Sequence, residues 1–127
     1  MNSVLGFLHD SESSKILLLR EQGHWNGING PVQEGELPHE AMARTCKEAT
    51  KYNTTPEDWQ HVATLRYPAG SRFVYTAPGN IYSAKGDKVF ISYDSSLEHE
   101  PVRAELRWLI RLVFSAGIIF PVEVNLE

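Results

Sequence analysis

Short apolar runs separated by polar turns recur along the chain, and most of them are too short to form helices. The first two lie at Ser3–Asp10 and at 15–20, with the polar turn SESS near their junction, and they predict a β-hairpin or two neighbouring strands. Four later runs are rich in β-branched and aromatic residues and are separated by turns with glycine or proline, so they predict four further strands. These runs are residues 61–67, 72–77, 80–84 and 88–93.

One long segment, residues 38–52, has a helical period instead of an alternating one. Pro38 suits the first position of a helix, and Met42, Cys46 and Ala49 recur at i, i+4 and i+7, which predicts one largely apolar stripe. The sequence therefore predicts a helix over 38–52 that packs Met42 and Cys46 against the sheet and turns Thr45 and Glu48 toward a cleft beside residues 27–35.

A second helix is predicted over residues 104–117, where leucine, isoleucine and valine recur at i, i+3, i+4 and i+7 and Gly117 supplies the stop. The segment after it contains Pro121, which excludes a central strand and predicts an edge strand or a tail.

Between the first strands and the first helix, residues 21–36 contain four glycines and two asparagines, a density that predicts a structured loop without regular elements. The order of strands, loop, helix, strands and helix favours an α/β (α+β) fold with a mixed sheet packed between helices. With 127 residues and no linker or repeat, the chain is most simply one domain over 1–127.

Composition narrows the functional classes. The formal net charge of −4 argues against binding to nucleic acid or to an anionic membrane. The one cysteine excludes an internal disulfide and a Cys₂His₂ zinc site, and the five histidines lack the spacing of zinc ligands. No signal-peptide pattern or membrane-length apolar run is present in the sequence, so we expect a cytoplasmic protein.

The loop and the first helix carry a spaced motif. Gly30 is followed by PVQEG, then Glu36, then LPHEAMA, then Arg44 and the residues TCKEATKY. This arrangement resembles the Nudix box, in which a glycine, five residues, a glutamate and seven residues precede Arg-Glu-hydrophobic-x-Glu-Glu-x-Gly-hydrophobic. The first 42 residues also look like the start of short Nudix proteins, including ones encoded by phages and prophages.

The second half of the box departs from the family pattern. Thr45 stands where the first helical glutamate is expected, Ala49 replaces the last glutamate, and Lys51 replaces the glycine. Glu48 matches the middle glutamate, and Asn29 replaces the first of the two glycines usual before the box.

The resemblance implies a pyrophosphohydrolase of nucleoside diphosphates linked to another group, with magnesium or manganese held between helical carboxylates and phosphates. It makes Glu36, Arg44 and Glu48 the candidate catalytic residues and Glu48 the candidate metal ligand. In this fold Glu36 and Arg44 commonly form a structural salt bridge, so their presence favours the fold more than the activity. The family also places an extra glutamate in the loop before the last helix in some enzymes, which makes Glu98 and Glu100 further candidate metal ligands.

Three candidates for binding a nucleotide or nucleoside-diphosphate derivative lie before the helix. Arg20 follows the second apolar run and is placed to contact a phosphate, although exposed arginine is the common alternative. Trp25 is a candidate for stacking on a nucleobase, although a core position is the more frequent role of such a residue. Gly30 shapes the loop whether or not the loop binds a ligand.

Three hypotheses remain open from the sequence. The first is a Nudix-fold protein that keeps a nucleotide-sized cleft but has weak or no magnesium-dependent hydrolysis, because two helical acids are replaced. The second is an active hydrolase whose metal is held by Glu48 and loop carboxylates such as Glu34, Glu98 or Glu100. The third is a non-catalytic module that binds a protein partner, and a homodimer is equally compatible with the sequence.

Overall fold

The computed structural model describes residues 1–93, 102–115 and 120–126, and it has a mixed sheet between two α-helices. The α+β class predicted from the sequence is therefore confirmed. The strands are β1 (Ser3–Asp10), β2 (Lys15–Glu21), β3 (His24–Asn26), β4 (Ile28–Pro31), β5 (Gln60–Tyr67), β6 (Gly70–Pro78), β7 (Lys88–Ser92) and β8 (Val122–Asn125). The helices are α1 (Pro38–Thr50) and α2 (Leu106–Val113).

The sheet is organised around β1, the most central of its strands. The path of hydrogen-bonded neighbours runs β3-β2-β1-β6-β5-β8, while β4 also pairs with β1 and β7 with β2. The β1–β6 and β5–β8 pairs are parallel, and the others are antiparallel. The predicted hairpin of β1 and β2 is confirmed, and β8 forms an edge strand that begins after Pro121, as predicted.

Alternation along β1 separates the two cores of the molecule. Successive side chains of a strand point to opposite faces of the sheet. Val4 and Leu8 belong to the cluster that contains residues of α1, whereas Leu5 and Phe7 belong to the cluster that contains residues of α2. Each helix therefore covers one face of the sheet, and every one of these four side chains is fully buried.

Close approach of α1 to the sheet depends on Gly6 in β1. A Cβ added at Gly6 would lie 2.5 Å from Cε of Met42 and 2.9 Å from the ring of Trp59. Met42 and Cys46 are both fully buried in the α1-side cluster, so these two members of the predicted apolar stripe pack against the sheet, whereas the third, Ala49, is exposed.

The other helix is attached to β5 and β6 by a polar network. Glu105, immediately before α2, accepts hydrogen bonds from Arg72 Nη1 at 2.7 Å and from Tyr67 Oη at 2.8 Å. Burial and the neighbouring carboxylate raise the pKa of Tyr67 to about 12, so this phenol stays protonated and acts as a donor.

The expectation of a loop without regular elements over residues 21–36 is wrong for two short stretches. The structure has β3 and β4 within this segment. Residues of β4 pair with the first half of β1, from Ser3 opposite Pro31 to Gly6 opposite Ile28. Glycine density misled the prediction because Gly30 serves close packing against α1 within a strand, not a turn.

The strand predicted over residues 80–84 is also wrong, because the structure has a short 3₁₀ turn there, Ile81–Ser83. Ile81 and Ala84 are buried three positions apart, which matches one face of a turn and not the alternation of a strand. The segment crosses the end of α1, where Lys85 N donates to Thr50 O at 2.8 Å.

Both helices are shorter than predicted. Helix α1 ends at Thr50 because Lys51 adopts a left-handed conformation with φ of 63°. Helix α2 covers Leu106–Val113, and the predicted stop, Gly117, lies outside the described residues. Within the described ranges, no helix combines the length and the apolar character that crossing a membrane requires.

Candidate active site

The centre of the candidate site is the guanidinium group of Arg44, on the part of α1 that faces the preceding loop. Its Nε and Nη2 donate to the two carboxylate oxygens of Glu36 at 2.9 and 3.1 Å, which is a bidentate ion pair. Nη2 also donates to Pro31 O at 2.8 Å, and Nη1 donates to Glu48 Oε1 at 2.7 Å. One side chain thus joins β4, the loop and the next turn of the helix.

Glu36 in turn holds the shape of the loop before the helix. Its Oε1 accepts from the backbone N of Gln33 at 3.0 Å, and its own N donates to Gln33 O at 3.0 Å. The hydrogen bond from Arg44, followed by the one from the Gln33 backbone, lowers the pKa of the Glu36 carboxyl. The predicted loop-to-helix salt bridge is therefore present, and Glu36 is ionised at neutral pH.

Thr45 is buried between α1 and β4. Only 6% of the residue is exposed, and its Oγ1 has no hydrogen-bond partner among the residues that the structure describes. A Cβ added at Gly30 would lie 2.9 Å from both Oγ1 and Cγ2 of Thr45, so the two residues are in close contact. The sequence predicted Thr45 to face the cleft, whereas the structure packs it against Gly30.

Glu48 is the one acidic side chain of the three box positions on this part of the helix. Its side chain is 58% exposed, and its carboxylate is bound to Arg44. Cys46, on the buried side, has its thiol pKa raised by burial, in agreement with its interpretation as a core residue and not a nucleophile.

The adjacent cleft lies at the C-terminal end of α1, beside Ala49. Its volume is about 270 Å³, and it is formed by β2, the β3–β4 region, the end of α1 and the turn before β7. The lining residues are Leu19, Arg20, Glu21, Gly27, Asn29, Ala49, Gly86 and Asp87. Ala49 thus occupies the box position closest to a cavity, but it offers no ligand atom from its side chain.

Arg20 and Trp25 are neighbours across the β2–β3 pair. The Arg20 guanidinium carbon lies 5.6 Å from the centre of the Trp25 ring, a distance typical of a cation–π contact. Arg20 borders the cleft, whereas Trp25 is half-buried and packs against the α2-side core. Paired residues of two neighbouring strands point to the same face of the sheet, so the Arg20 guanidinium lies with Trp25 on the α2 side, although Arg20 is among the residues that border the cleft.

The donor set for a divalent cation is small in this structure. Magnesium prefers oxygen ligands and usually takes one or two carboxylates together with substrate phosphates. Within residues 1–93, 102–115 and 120–126, no three His, Cys, Asp or Glu side chains converge on a metal-sized site. Glu98 and Glu100, the other predicted ligands, lie outside the described residues, and Glu34 is exposed in the loop before α1. The described residues therefore do not fit a magnesium cage.

A comparison with known protein families tests the resemblance of residues 30–52 to the Nudix box. The family model for the NUDIX domain matches residues 1–109. The chain belongs to the Nudix family. No sequence among the curated proteins matches this chain.

Solved Nudix structures share the fold of this chain at low sequence identity. A NUDIX-family hydrolase from Clostridium perfringens superposes with a TM-score of 0.70 at 16% identity, covering 86% of this chain and 92% of the other. A MutT protein from work on Aliivibrio salmonicida and Vibrio cholerae gives 0.71 at 15%, covering 90% and 96%. A MutT protein from Methanosarcina mazei gives 0.64 at 19%, covering 87% and 90%. These matches establish the fold, while the residues of the site have to be judged on their own chemistry.

Sequence reasoning did not single out Glu21 and Asp87 as cleft residues, although both line it. Asn29 was recognised only as a departure from glycine. In the structure its Nδ2 donates to Glu21 Oε2 at 2.9 Å and to Gly27 O at 3.0 Å. The available signal was the position of Glu21, which directly follows a strand and precedes the box.

Proposed function

We propose that this Nudix protein binds a nucleotide derivative and has weak or no magnesium-dependent pyrophosphohydrolase activity. Nudix hydrolases as a family act on nucleotide derivatives and typically use a divalent metal. The observation that carries the proposal is the state of the helical metal face: Thr45 is buried on Gly30, Ala49 has no ligand atom, and the Glu48 carboxylate is bound to Arg44.

The chemistry of these three positions supports weak metal binding. A metal ion that recruited Glu48 would compete with the 2.7 Å hydrogen bond from Arg44, and it would find no second helical carboxylate beside it. Two or more helical acids on one face repel each other and become stable when a cation lies between them. With a single acid already paired to a guanidinium, the helix needs no metal for its own stability.

In this proposal, Arg44 and Glu36 have a structural role that needs no metal. They hold the loop and β4 against α1, and this contact preserves the walls of the neighbouring cleft. The same proposal treats residues 1–127 as one domain, which the pairing of β8 with β5 supports. The cytoplasmic location and a homodimer or other protein partner stay predictions from the sequence.

Turnover of a substrate panel tests the proposal. Nucleoside triphosphates, dinucleoside polyphosphates and nucleotide sugars are incubated with the protein and millimolar magnesium or manganese, and phosphate and nucleotide products are quantified. We expect hydrolysis close to the rate without enzyme, while some members of the panel raise the melting temperature. Rapid metal-dependent hydrolysis that Glu48→Gln abolishes would overturn the proposal in favour of an active enzyme. Hydrolysis unaffected by Glu48→Gln would indicate a contaminating enzyme, which repurification removes, or a different catalytic site in this chain, which would overturn the proposal.

A further inference from the structure

The side chains of Asn29 and Glu21 give the cleft beside Ala49 hydrogen-bond acceptors. Both hydrogens of the Asn29 amide nitrogen are used, one by Glu21 Oε2 at 2.9 Å and one by Gly27 O at 3.0 Å. Asn29 therefore has only its Oδ1 acceptor left for a ligand. Among the described residues, Glu21 accepts a hydrogen bond from Asn29 through Oε2, which leaves its carboxylate with further acceptor capacity.

Two other walls of the cleft add to this character. Asp87 adds a second acidic residue to the lining, and its backbone oxygen accepts from Arg20 N at 3.0 Å. Ala49 lies in the last turn of α1, where the helix dipole gives the helix end a partial negative charge. The bordering cation, Arg20, has its guanidinium group over the Trp25 ring.

The acidic lining of the cleft favours the base of a nucleotide over its phosphates. A phosphate brings negative charge and acceptor oxygens, and it would meet two carboxylates in a site whose described residues do not fit a magnesium cage. An amino group on a base brings N–H donors, and carboxylates accept hydrogen bonds from such groups in base recognition. The volume of about 270 Å³ is below the range of about 300–1,000 Å³ for drug-sized ligands, so it suits a base with part of its sugar.

We propose that Glu21, assisted by Asn29 and Asp87, makes this cleft specific for an amino-bearing nucleobase and directs the phosphates of the ligand outward. The inference rests on the proposed function, because it requires that the cleft binds a nucleotide derivative. It adds which part of the ligand enters and which residues select it.

Matched nucleosides test the selection directly. Adenosine and inosine differ by an amino or an oxo group on the same ring, and so do cytidine and uridine. Titration calorimetry in a metal-free buffer with chelator is expected to give affinities about ten- to hundredfold higher for the amino member of a pair, the range for a hydrogen bond to a charged acceptor. Addition of phosphates, from adenosine to AMP to ADP, is expected to weaken binding at low ionic strength and to do so less at high salt.

Substitutions of cleft residues test whether the base preference and the phosphate penalty arise in the cleft. Glu21→Gln removes the charge but keeps an oxygen for the Asn29 amide, and it should bring the amino-to-oxo ratio close to one and reduce the phosphate penalty. Asp87→Asn provides a second test if the first variant does not fold. Glu57→Gln is the matched control, because Glu57 is an exposed acid in a short 3₁₀ helix and does not line the cleft.

The outcomes separate the inference from the proposed function. A preference for amino bases that is lost in Glu21→Gln and kept in Glu57→Gln supports the inference. Binding of nucleotides with equal affinity for amino and oxo bases, or with affinity that rises with each phosphate, overturns the inference and leaves the proposed function standing. Absence of binding for every nucleoside and nucleotide at millimolar concentration overturns both.

Discussion

The Arg44 network and the cleft beside Ala49, two neighbouring regions of helix α1, differ in what their side chains do. In the middle of the helix, Arg44 is engaged by Glu36, by Glu48 and by Pro31 O, and all of these contacts are 3.1 Å or shorter for the best-placed atoms. In the last turn, Ala49 borders the cleft, and its side chain has no ligand atom. The box of this Nudix protein thus keeps the residues that fix the loop on the helix, whereas two of its three helical acid positions hold Thr45 and Ala49.

This difference shows that the two roles of the box are physically separable. The Glu36–Arg44 pair depends on partial burial and bidentate geometry, with 15% and 26% of the side chains exposed. A metal face depends on several like charges that only a cation makes stable. A chain that loses the second property can keep the first, and its loop keeps its shape.

The largest effect is expected from Arg44→Met, which removes the group shared by both carboxylates and the β4 carbonyl. The substitution leaves the partly buried Glu36 carboxylate and the Pro31 carbonyl without their donor, and we expect this to lower the free energy of unfolding by about 2–4 kcal/mol. Denaturant unfolding measures this, with Arg66→Met as the control, because Arg66 and Glu123 form a pair with more than half of each side chain exposed. Equal losses in the two variants would show that the Arg44 network has no special structural role.

Glu36→Ala should lower the free energy of unfolding by about 1–3 kcal/mol at neutral pH, since Arg44 and the Gln33 amide lose their acceptor. The pKa of Glu36 is lowered in the folded state, so its stabilisation is complete above the unfolded value of 4.5 and is lost as the pH falls through the lower folded value. The stability difference between wild type and variant should therefore shrink below about pH 4.5. A difference that persists unchanged into strong acid would argue against the ion pair as its cause.

Thr45→Val addresses the buried hydroxyl beside Gly30. The substitution keeps the shape and removes an unpartnered polar group, so we expect unchanged or higher stability, by up to about 1 kcal/mol. Thermal unfolding of the variant beside Thr45→Ser, which keeps the hydroxyl and loses the methyl, provides the comparison. A clear loss of stability in Thr45→Val would mean that Oγ1 has a partner, and Thr45 would then have a polar role in the site.

The smallest effect is expected from Glu48→Gln. Its ion pair with Arg44 is formed by a side chain that is 58% exposed, and such pairs contribute about 0–1 kcal/mol. Comparison with Glu36→Ala at the same ionic strength shows which of the two carboxylates stabilises the loop. A loss as large as that of Glu36→Ala would contradict the separation between the structural Glu36–Arg44 pair and the helical metal face to which Glu48 belongs.

Features that depend on local sequence were predicted correctly, whereas features that depend on contacts between distant segments were missed. The helix start at Pro38 and the burial of Met42 and Cys46 follow from local sequence signals and were predicted. The Glu36–Arg44 pair was implied by the Nudix resemblance and is present. The strands β3 and β4 were missed, since they form by pairing with β2 and β1 despite their glycines.

The lining of the cleft lay beyond sequence reasoning for a similar reason. Glu21, Asn29 and Asp87 come from three segments, and only the folded sheet and the turn before β7 bring them together. The burial of Thr45 was likewise unpredictable, because helical phase alone places it beside Glu48, and the proximity of Gly30 decides its environment.

The central claim, that the helical metal face is no longer functional, is tested most directly by titrating Mn²⁺ into the purified protein, Glu48→Gln and Ala49→Glu by calorimetry. We expect wild type and Glu48→Gln to bind equally weakly, with a Kd of about 1 mM or higher, because Glu48 is paired with Arg44 and has no neighbouring acid. Ala49→Glu should bind about tenfold more tightly, since it adds a carboxylate at the exposed position beside the cleft. Binding by the wild type at about 10 µM or tighter, lost in Glu48→Gln, would contradict the account and show that the metal site is intact.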